Sequence, residues 1–397
     1  MSKQPLVLSA NTVVRQHGTS YALHHRHGGK LFIIPKDAIH VFRKGMHVVD
    51  LADSKFEEIY NAGIVKYENE TEDYLVRKKQ EIFSKSQIKE ISIVPTYMCN
   101  MSCKHCMNKQ NSTDTIKENR NALINQLDNL LVGKNYSYTV RLIGGEPLYD
   151  IRYMQMIVEK VQKEAPKSNI VISTNGNKLN KILLHWMHER NININISINT
   201  IDSWSVSILK TIGKSGLNYA VSVIIDPDCV EKGLCVLDYC VNIGVNKVNI
   251  LRKMYVKYRN VEKYAENMYN IYKKYKSCIR IDGRWILLLR KQIYDRHVFA
   301  DICSANGSGV CILPDGKLTS CYMFPQQSYN DLSQLVSSDF RVEGLRRRVA
   351  VGDCHGCEIQ GICGGGCRAE YLSAYRNQLC SFYRSLINVQ LGDVAQC

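Results

Sequence analysis

The chain has no stretch approaching the roughly 18 consecutive apolar residues that a membrane-spanning helix needs, so membrane insertion is not expected. Its first residues, MSKQPLVLSANTVV, carry one lysine and a short apolar patch before polar residues resume. That is not the shape of a secretory signal, and a cytoplasmic protein is expected. Long runs of one charge are missing as well: no basic run exceeds three residues, as in RRR at 346–348, although the formal net charge is +15. Spread in this way, the charge reads first as a solvated basic surface, then as a match for an acidic peptide, and only last as a nucleic-acid footprint. No internal repeat is evident.

Cysteine, by contrast, is abundant, with sixteen in 397 residues. In a reducing compartment these would make poor disulfides, so thiolate–metal chemistry is the first to test. The length accommodates two or three hydrophobic cores. From 88 to about 290 short β-rich runs alternate with amphipathic stretches, the pattern of an α/β fold with a parallel sheet. Strands are expected at 90–95, 138–143, 169–173, 192–198, 218–225 and 246–250, and helices at 153–165, 179–190 and 230–243. Six such units make a partial (β/α)6 barrel. In the run 192–198, Ile192, Ile194, Ile196 and Ile198 alternate with Asn193, Asn195 and Ser197, which predicts one face toward the helices and a polar face toward a barrel interior. Residues 1–87 read instead as a small domain of β runs (TVVRQ, SYALHH, KLFIIP, IHVFRK) followed by a helix over 51–64. Residues 291–397 turn to Gly, Cys and turn pairs, as expected of a loop-rich domain stapled by metal.

The motifs fall where a barrel of this kind gathers its functional groups, at the C-terminal ends of the strands. After the first strand comes Cys99-x3-Cys103-x2-Cys106. Three thiolates on one tight loop can hold three irons of a [4Fe–4S] cube and leave the fourth open to a non-protein ligand; as a bare pattern, a partial zinc site has the same look. After the second strand comes Gly144-Gly145-Glu146-Pro147, in which glycines permit close backbone approach and the carboxylate can accept a hydrogen bond from an ammonium. Ser173-Thr174-Asn175-Gly176 follows the third strand.

In this set the chain resembles the radical S-adenosylmethionine (SAM) superfamily. The resemblance implies that Cys99, Cys103 and Cys106 hold the catalytic cluster and that its fourth iron chelates SAM. It implies that Gly144, Gly145, Glu146 and Pro147 lie at the SAM amino group, that Ser173 and Asn175 help hold the cofactor, and that Ser197 and Asn199 reach the ribose. The chain departs from the family at His105, where an aromatic residue usually lies near the adenine; imidazole can still stack and hydrogen-bond.

Seven more cysteines follow as Cys303-x12-Gly316-x4-Cys321, Cys354-x2-Cys357-x5-Cys363-x3-Cys367 and Cys380. A zinc ribbon wants four ligands in two close pairs, and this array has too many. It resembles the SPASM extension of radical SAM enzymes, which implies two auxiliary [4Fe–4S] clusters. Cys354, Cys357, Cys363 and Cys380 would close one, and Cys303, Cys321 and Cys367 would serve the other. Its fourth position is left to Cys311, which in VCILPDG reads as a strand residue, to Cys278, to a substrate group or to none. Cys229, Cys235, Cys240 and Cys397 have no ligand spacing and read as small buried hydrophobes.

Two extra clusters favour an oxidative outcome, because a substrate radical that forms a bond must lose an electron. The resemblance therefore implies a peptide maturase of the sactisynthase and peptide-cyclase type. Such an enzyme makes thioether or carbon–carbon crosslinks in a ribosomally made precursor and takes electrons from a flavodoxin or ferredoxin. Residues 1–87 would be a winged-helix-like domain that captures a leader peptide as an added strand. An anaerobic sulfatase-type maturase forming formylglycine is the alternative, but its acid after the second array cysteine is replaced by Tyr322. An iron–sulfur sensor on nucleic acid is a further alternative, and it has no use for the Gly-Gly-Glu-Pro loop.

Overall fold

A computed structural model describes residues 6–25, 31–35, 58–67, 88–103, 106–110, 117–133, 136–282, 285, 303–339, 357–359, 363 and 366–394. His105, Cys354, Cys397, the RRR run, the expected strand IHVFRK and the first half of the expected 51–64 helix lie outside the described residues.

At the N-terminus β1 (Leu6–Leu8) pairs antiparallel with β5 (Val65–Tyr67), while β2 (Thr12–His17), β3 (Ser20–His25) and β4 (Leu31–Pro35) form an antiparallel sheet in that order. Three of the expected β runs are therefore strands. Tyr21, Leu23, Ile34, Ile59 and Ile64 form a core of their own, but Ala22 belongs to the main core of the molecule.

The six expected barrel strands form within a few residues of their expected bounds: β6 (Glu90–Ile93), β7 (Thr139–Leu142), β8 (Asn169–Thr174), β9 (Asn193–Ser197), β10 (Tyr219–Ile225) and β11 (Lys247–Arg252). Helices α1 (Arg120–Leu131), α2 (Ile151–Glu164), α3 (Lys181–Glu189), α4 (Ser203–Gly213), α5 (Val230–Asn242) and α6 (Val261–Tyr275) follow them in turn. Short polar side chains cap five of these six helices, all but α5. Asp150 caps α2 by accepting from Tyr153 N at 3.0 Å, and behind that cap Tyr153, Met154, Ile157, Val158 and Val161 recur at helical spacing and are buried.

Two departures enlarge the sheet to nine strands. A seventh parallel strand, β12 (Arg280–Asp282), follows α6, and β13 (Gly309–Ile312) pairs parallel with β6 before turning back as the antiparallel β14 (Leu318–Thr319). The order is β12-β11-β10-β9-β8-β7-β6-β13-β14. Gly309-Val-Cys-Ile312 is buried throughout, and Cys311 is the strand residue that its place in VCILPDG predicts; its pairing with β6 is what the sequence does not show. The C-terminal segment is also less loop-rich than expected. After α7 (Leu332–Ser337) and the short α8 (Arg368–Tyr371), the 19-residue α9 (Arg376–Val394) packs along α6.

The alternation in β9 does what its sequence predicts. Ile194 and Ile196 are buried, each contributing about 1.5–3 kcal/mol. On the other face Asn195 Oδ1 accepts from Ser222 Oγ at 2.6 Å and from Asn249 Nδ2 at 2.8 Å, so one polar layer spans β9, β10 and β11. No helix among the described residues is long and apolar enough to cross a membrane.

Candidate functional site

Three loops meet at the C-terminal ends of β6, β7 and β8. The first carries Cys99 and Cys103, both exposed, and Cys106, half-buried, with a turn closed by Cys106 N donating to Cys103 O at 3.3 Å. Two donors reach the Cys99 sulfur, Met101 N at 3.4 Å and Asn175 Nδ2 at 3.8 Å. Partial burial of this thiol pushes its pKa up; the Met101 N–H opposes the shift, and Glu146, Cys103 and Cys106 add to it.

The second loop is pressed against the first. Gly144 has φ +124, and a Cβ there would lie 2.6 Å from Val94 Cγ1; a Cβ on Gly145 would lie 2.2 Å from Met98 O. The backbone that these glycines admit is the cysteine loop's own. Gly145 N donates to Thr96 O at 3.0 Å and Glu146 N to Met98 O at 2.9 Å. Asn108, two residues past Cys106, donates its amide to Gly144 O.

Glu146 faces inward, 1% exposed, and does not offer its carboxylate to the loops' open side. Oε1 accepts from Leu148 N at 3.0 Å and Thr174 Oγ1 at 2.6 Å, and Oε2 from Asn175 N at 2.8 Å. Burial pushes its pKa up, and the three donors hold it back. The acid thus ties the second loop to the third. Pro147 follows it, buried, at the start of a short 3-10 turn. Asn175 closes the triangle, its Nδ2 donating to Asn100 Oδ1 at 2.8 Å.

The remaining expected cofactor residues stand on the next strand ends. Ser173 Oγ accepts from Asn195 Nδ2 at 3.5 Å, joining the polar layer. Ser197, the last residue of β9, and Asn199 beyond it are exposed, and Asn199 Oδ1 accepts from Ile224 N at 3.1 Å. A cavity of about 420 Å³ opens beside Met98, Pro147, Tyr149, Arg152 and Lys178, behind the second loop and away from the polar layer.

Among the C-terminal cysteines, Cys321 and Cys367 share one apolar cluster with Met107 of the first loop, Tyr255, Tyr322, Met323 and Phe324. Cys357 and Cys380 both lie close enough to act on the Arg384 charge, with Arg384 Nη2 3.8 Å from Cys357 Sγ. Cys363 and Cys367 both act on the Tyr383 phenol. Cys303 is buried before β13. Cys311 is 1% exposed inside β13, its thiol pushed up by burial, in a cluster with Val94 and Leu313. Cys278 precedes β12, at the sheet edge farthest in order from β13. Among the described residues no three His, Cys, Asp or Glu side chains already stand at metal-holding separation. Of the four cysteines without ligand spacing, Cys240 is buried, with a pKa pushed up to about 12 by that burial, but Cys235 is exposed.

Sequence reasoning missed a buried ion pair that anchors the array. Arg252, at the end of β11, donates through Nη1 to Glu370 Oε1 at 3.0 Å and through Nη2 to the other carboxylate oxygen. Burial works against the Arg252 charge, and Glu370 more than restores it. Glu370 Oε1 also accepts from Tyr255 N at 3.3 Å, holding Tyr255 at φ +55, a strained backbone for an aromatic residue. Only proximity in the fold relates Arg252 to Glu370, so no spacing signal was there to find. Asn108 was within reach, as a polar residue directly behind the cysteine motif.

The family model described as a 4Fe-4S single cluster domain matches residues 92–208, the segment that holds all three loops. The radical SAM cyclopropyl synthase TigE of Paramaledivibacter caminithermalis is 22% identical over 380 residues, spanning 83% of this chain and 80% of its own. Among solved structures, native anSMEcpe with bound AdoMet and the Cp18Cys peptide matches with a TM-score of 0.58 at 15% identity, over 77% of this chain and 99% of its own. Streptococcus suis SuiB bound to its precursor peptide SuiA matches with a TM-score of 0.53 at 15% identity, over 92% of this chain and 96% of its own. At these identities the two structures share the fold with this chain, and a 92% share reaches into the first 87 residues.

Proposed function

We infer that this chain, a member of the radical SAM superfamily, oxidatively crosslinks a ribosomally made precursor peptide. The residues present fit the cofactors the family implies: three thiols project from one loop, and two N–H groups point at the Cys99 sulfur, as iron–sulfur ligands require. Cys99, Cys103 and Cys106 would hold a [4Fe–4S] cluster whose open iron takes SAM. Bound there, the pair supplies the electron that splits the SAM sulfur–carbon bond and the 5′-deoxyadenosyl radical that results.

The chain's own residues position and exclude. Gly144 and Gly145 bring the second loop onto the first, and Glu146 and Thr174 lock the third loop to both. Asn175 then fixes the edge of the cysteine loop, where SAM would lie beside Ser173, Ser197 and Asn199, with His105 toward the adenine. Asn195, Ser222 and Asn249 floor the site with a hydrogen-bonded polar layer.

The C-terminal cysteines would hold two further [4Fe–4S] clusters, three in all, and so accept the electron that bond formation releases. We assign residues 88–290 to the radical barrel, 291–397 to the auxiliary clusters and 1–87 to leader capture, with a flavodoxin or ferredoxin as electron source. The peptide substrate is supported by SuiB, whose likeness reaches into the N-terminal segment and whose structure holds a precursor peptide. A carbon–carbon bond is favoured over a thioether, since the 22% identical relative is a cyclopropyl synthase and a cyclopropane ring closes through carbon. Tyr322 after Cys321 counts against formylglycine formation.

One observation carries the reading: Asn175 reaches both the Cys99 sulfur and Asn100, so the loops after β6 and β8 meet at one thiol. Replacing Cys99, Cys103 and Cys106 by Ala should remove about a third of the roughly twelve irons of reconstituted protein and all SAM cleavage. Continued release of 5′-deoxyadenosine by that variant would overturn it.

A further inference from the structure

The N-terminal sheet and the C-terminal cysteines meet at one arginine. Arg15 of β2 leaves its own sheet, donates to Asn388 Oδ1 on α9, and stands 3.6 Å from Glu358 Oε2, beside Cys357. Its side chain is 11% exposed, and its Nη1 is closed to water with no hydrogen-bond partner among the described residues. A buried guanidinium donor left without an acceptor is costly unless an anion lies beside it. A second guanidinium comes from α9: Arg384 Nη2 lies 3.8 Å from Cys357 Sγ, and its Nε lies 3.9 Å from Glu358 Oε1. Cys380, one turn earlier on that helix, acts on the same charge. Two cations and one carboxylate therefore surround two thiols of the array.

We propose that Arg15 and Arg384 are positioning residues for the auxiliary cluster on Cys357 and Cys380, and that Arg15 makes that cluster's reduction potential depend on how the N-terminal sheet is seated. The proposal rests on the reading of these cysteines as cluster ligands. Positive charge beside a cluster favours its more negative, reduced form and so raises the potential, the buried Arg15 more than the half-exposed, solvent-screened Arg384. Arg15 belongs to the segment assigned to leader capture, and a shift of that sheet moves a charge at the electron acceptor. Peptide occupancy and electron acceptance would then be coupled through one side chain rather than through the barrel.

The test is an EPR-monitored redox titration of anaerobically reconstituted full-length protein, with iron measured on each sample. Arg15→Met and Arg384→Met should keep the wild-type iron content while one auxiliary signal titrates at lower potential. Arg15→Lys, which keeps the charge but not the planar fork, should fall between them and wild type. If Arg15→Met does not fold, Arg384→Met and Arg15→Lys carry the test, because the Arg384 side chain is 46% exposed. Unchanged midpoints at full iron content would overturn the proposal. The underlying reading fails separately: Cys357→Ala with undiminished iron would show that the array holds no cluster there, whatever the arginines do.

Discussion

A methyl group at residue 145 would sit 2.2 Å from the Met98 carbonyl oxygen, so the glycine is demanded by protein backbone even before any cofactor is considered. Forcing the loops apart costs about 1–3 kcal/mol, and Gly145→Ala is expected to weaken SAM binding by about tenfold to a hundredfold. Unchanged affinity by calorimetry would show that the loops are not the cofactor's frame. Glu146 is likewise held by protein before any cofactor is considered. The motif predicts a carboxylate facing an ammonium, and in the fold the same carboxylate also accepts from Leu148, Thr174 and Asn175. Because burial raises its pKa in the fold, its favourable contribution to stability is fully present below the ordinary carboxylate pKa and is lost as pH rises through the raised value. The stability of wild type relative to Glu146→Gln should therefore decline as pH rises above the ordinary carboxylate pKa of about 4.3. A relative stability that grows with pH would contradict this assignment. The motif residues themselves were legible because covalent spacing fixes them; their partners were not, because Glu146 meets Thr174 across two strands.

Among elements, β9 was the most legible, since its isoleucines and polar residues alternate at the period of a strand facing two environments. The C-terminal helix α9 was not, although Leu379, Phe382, Tyr383, Leu386, Ile387 and Leu391 recur at steps of three and four and are buried. Read for its cysteines, the segment looks like loops; read for its apolar residues, it specifies a helix. Phe382 is fully buried, its ring tilted against Tyr264 at 5.5 Å with the Arg252 guanidinium 5.3 Å away. Phe382→Ala should cost about 3–5 kcal/mol in denaturant unfolding, and a loss below 1 kcal/mol would show that α9 is not anchored there. The Arg252–Glu370 pair extends the argument to α8. Removing Glu370 alone leaves a buried charge and should cost about 3–5 kcal/mol, while an apolar replacement of both partners should cost much less. Equal losses in Glu370→Leu and the Arg252→Met/Glu370→Leu double variant would remove the case for a desolvated pair.

Across the whole molecule, the sequence laid out a barrel between two appended units, and the structure joins those units more tightly than that outline implies. β13 and β14 extend the barrel's sheet, Ala22 packs into its core, and Arg15 reaches the array. Residues 1–87 are therefore poorly suited to deletion as a test of leader binding, because their removal would also uncover the main core and the Cys357 site. Composition could not reveal this, since contacts across hundreds of residues leave no local pattern. The central claim is that the three strand-end loops generate a radical that acts on a peptide. Anaerobic incubation of reconstituted enzyme with SAM, a reductant and candidate precursor peptides, taken from any short reading frames that neighbour its gene, tests it most directly. The account predicts release of 5′-deoxyadenosine together with a peptide lighter by two hydrogens, both abolished in the Cys99, Cys103 and Cys106 triple variant. A peptide of unchanged mass, with 5′-deoxyadenosine formed at the same rate whether or not peptide is present, would contradict it.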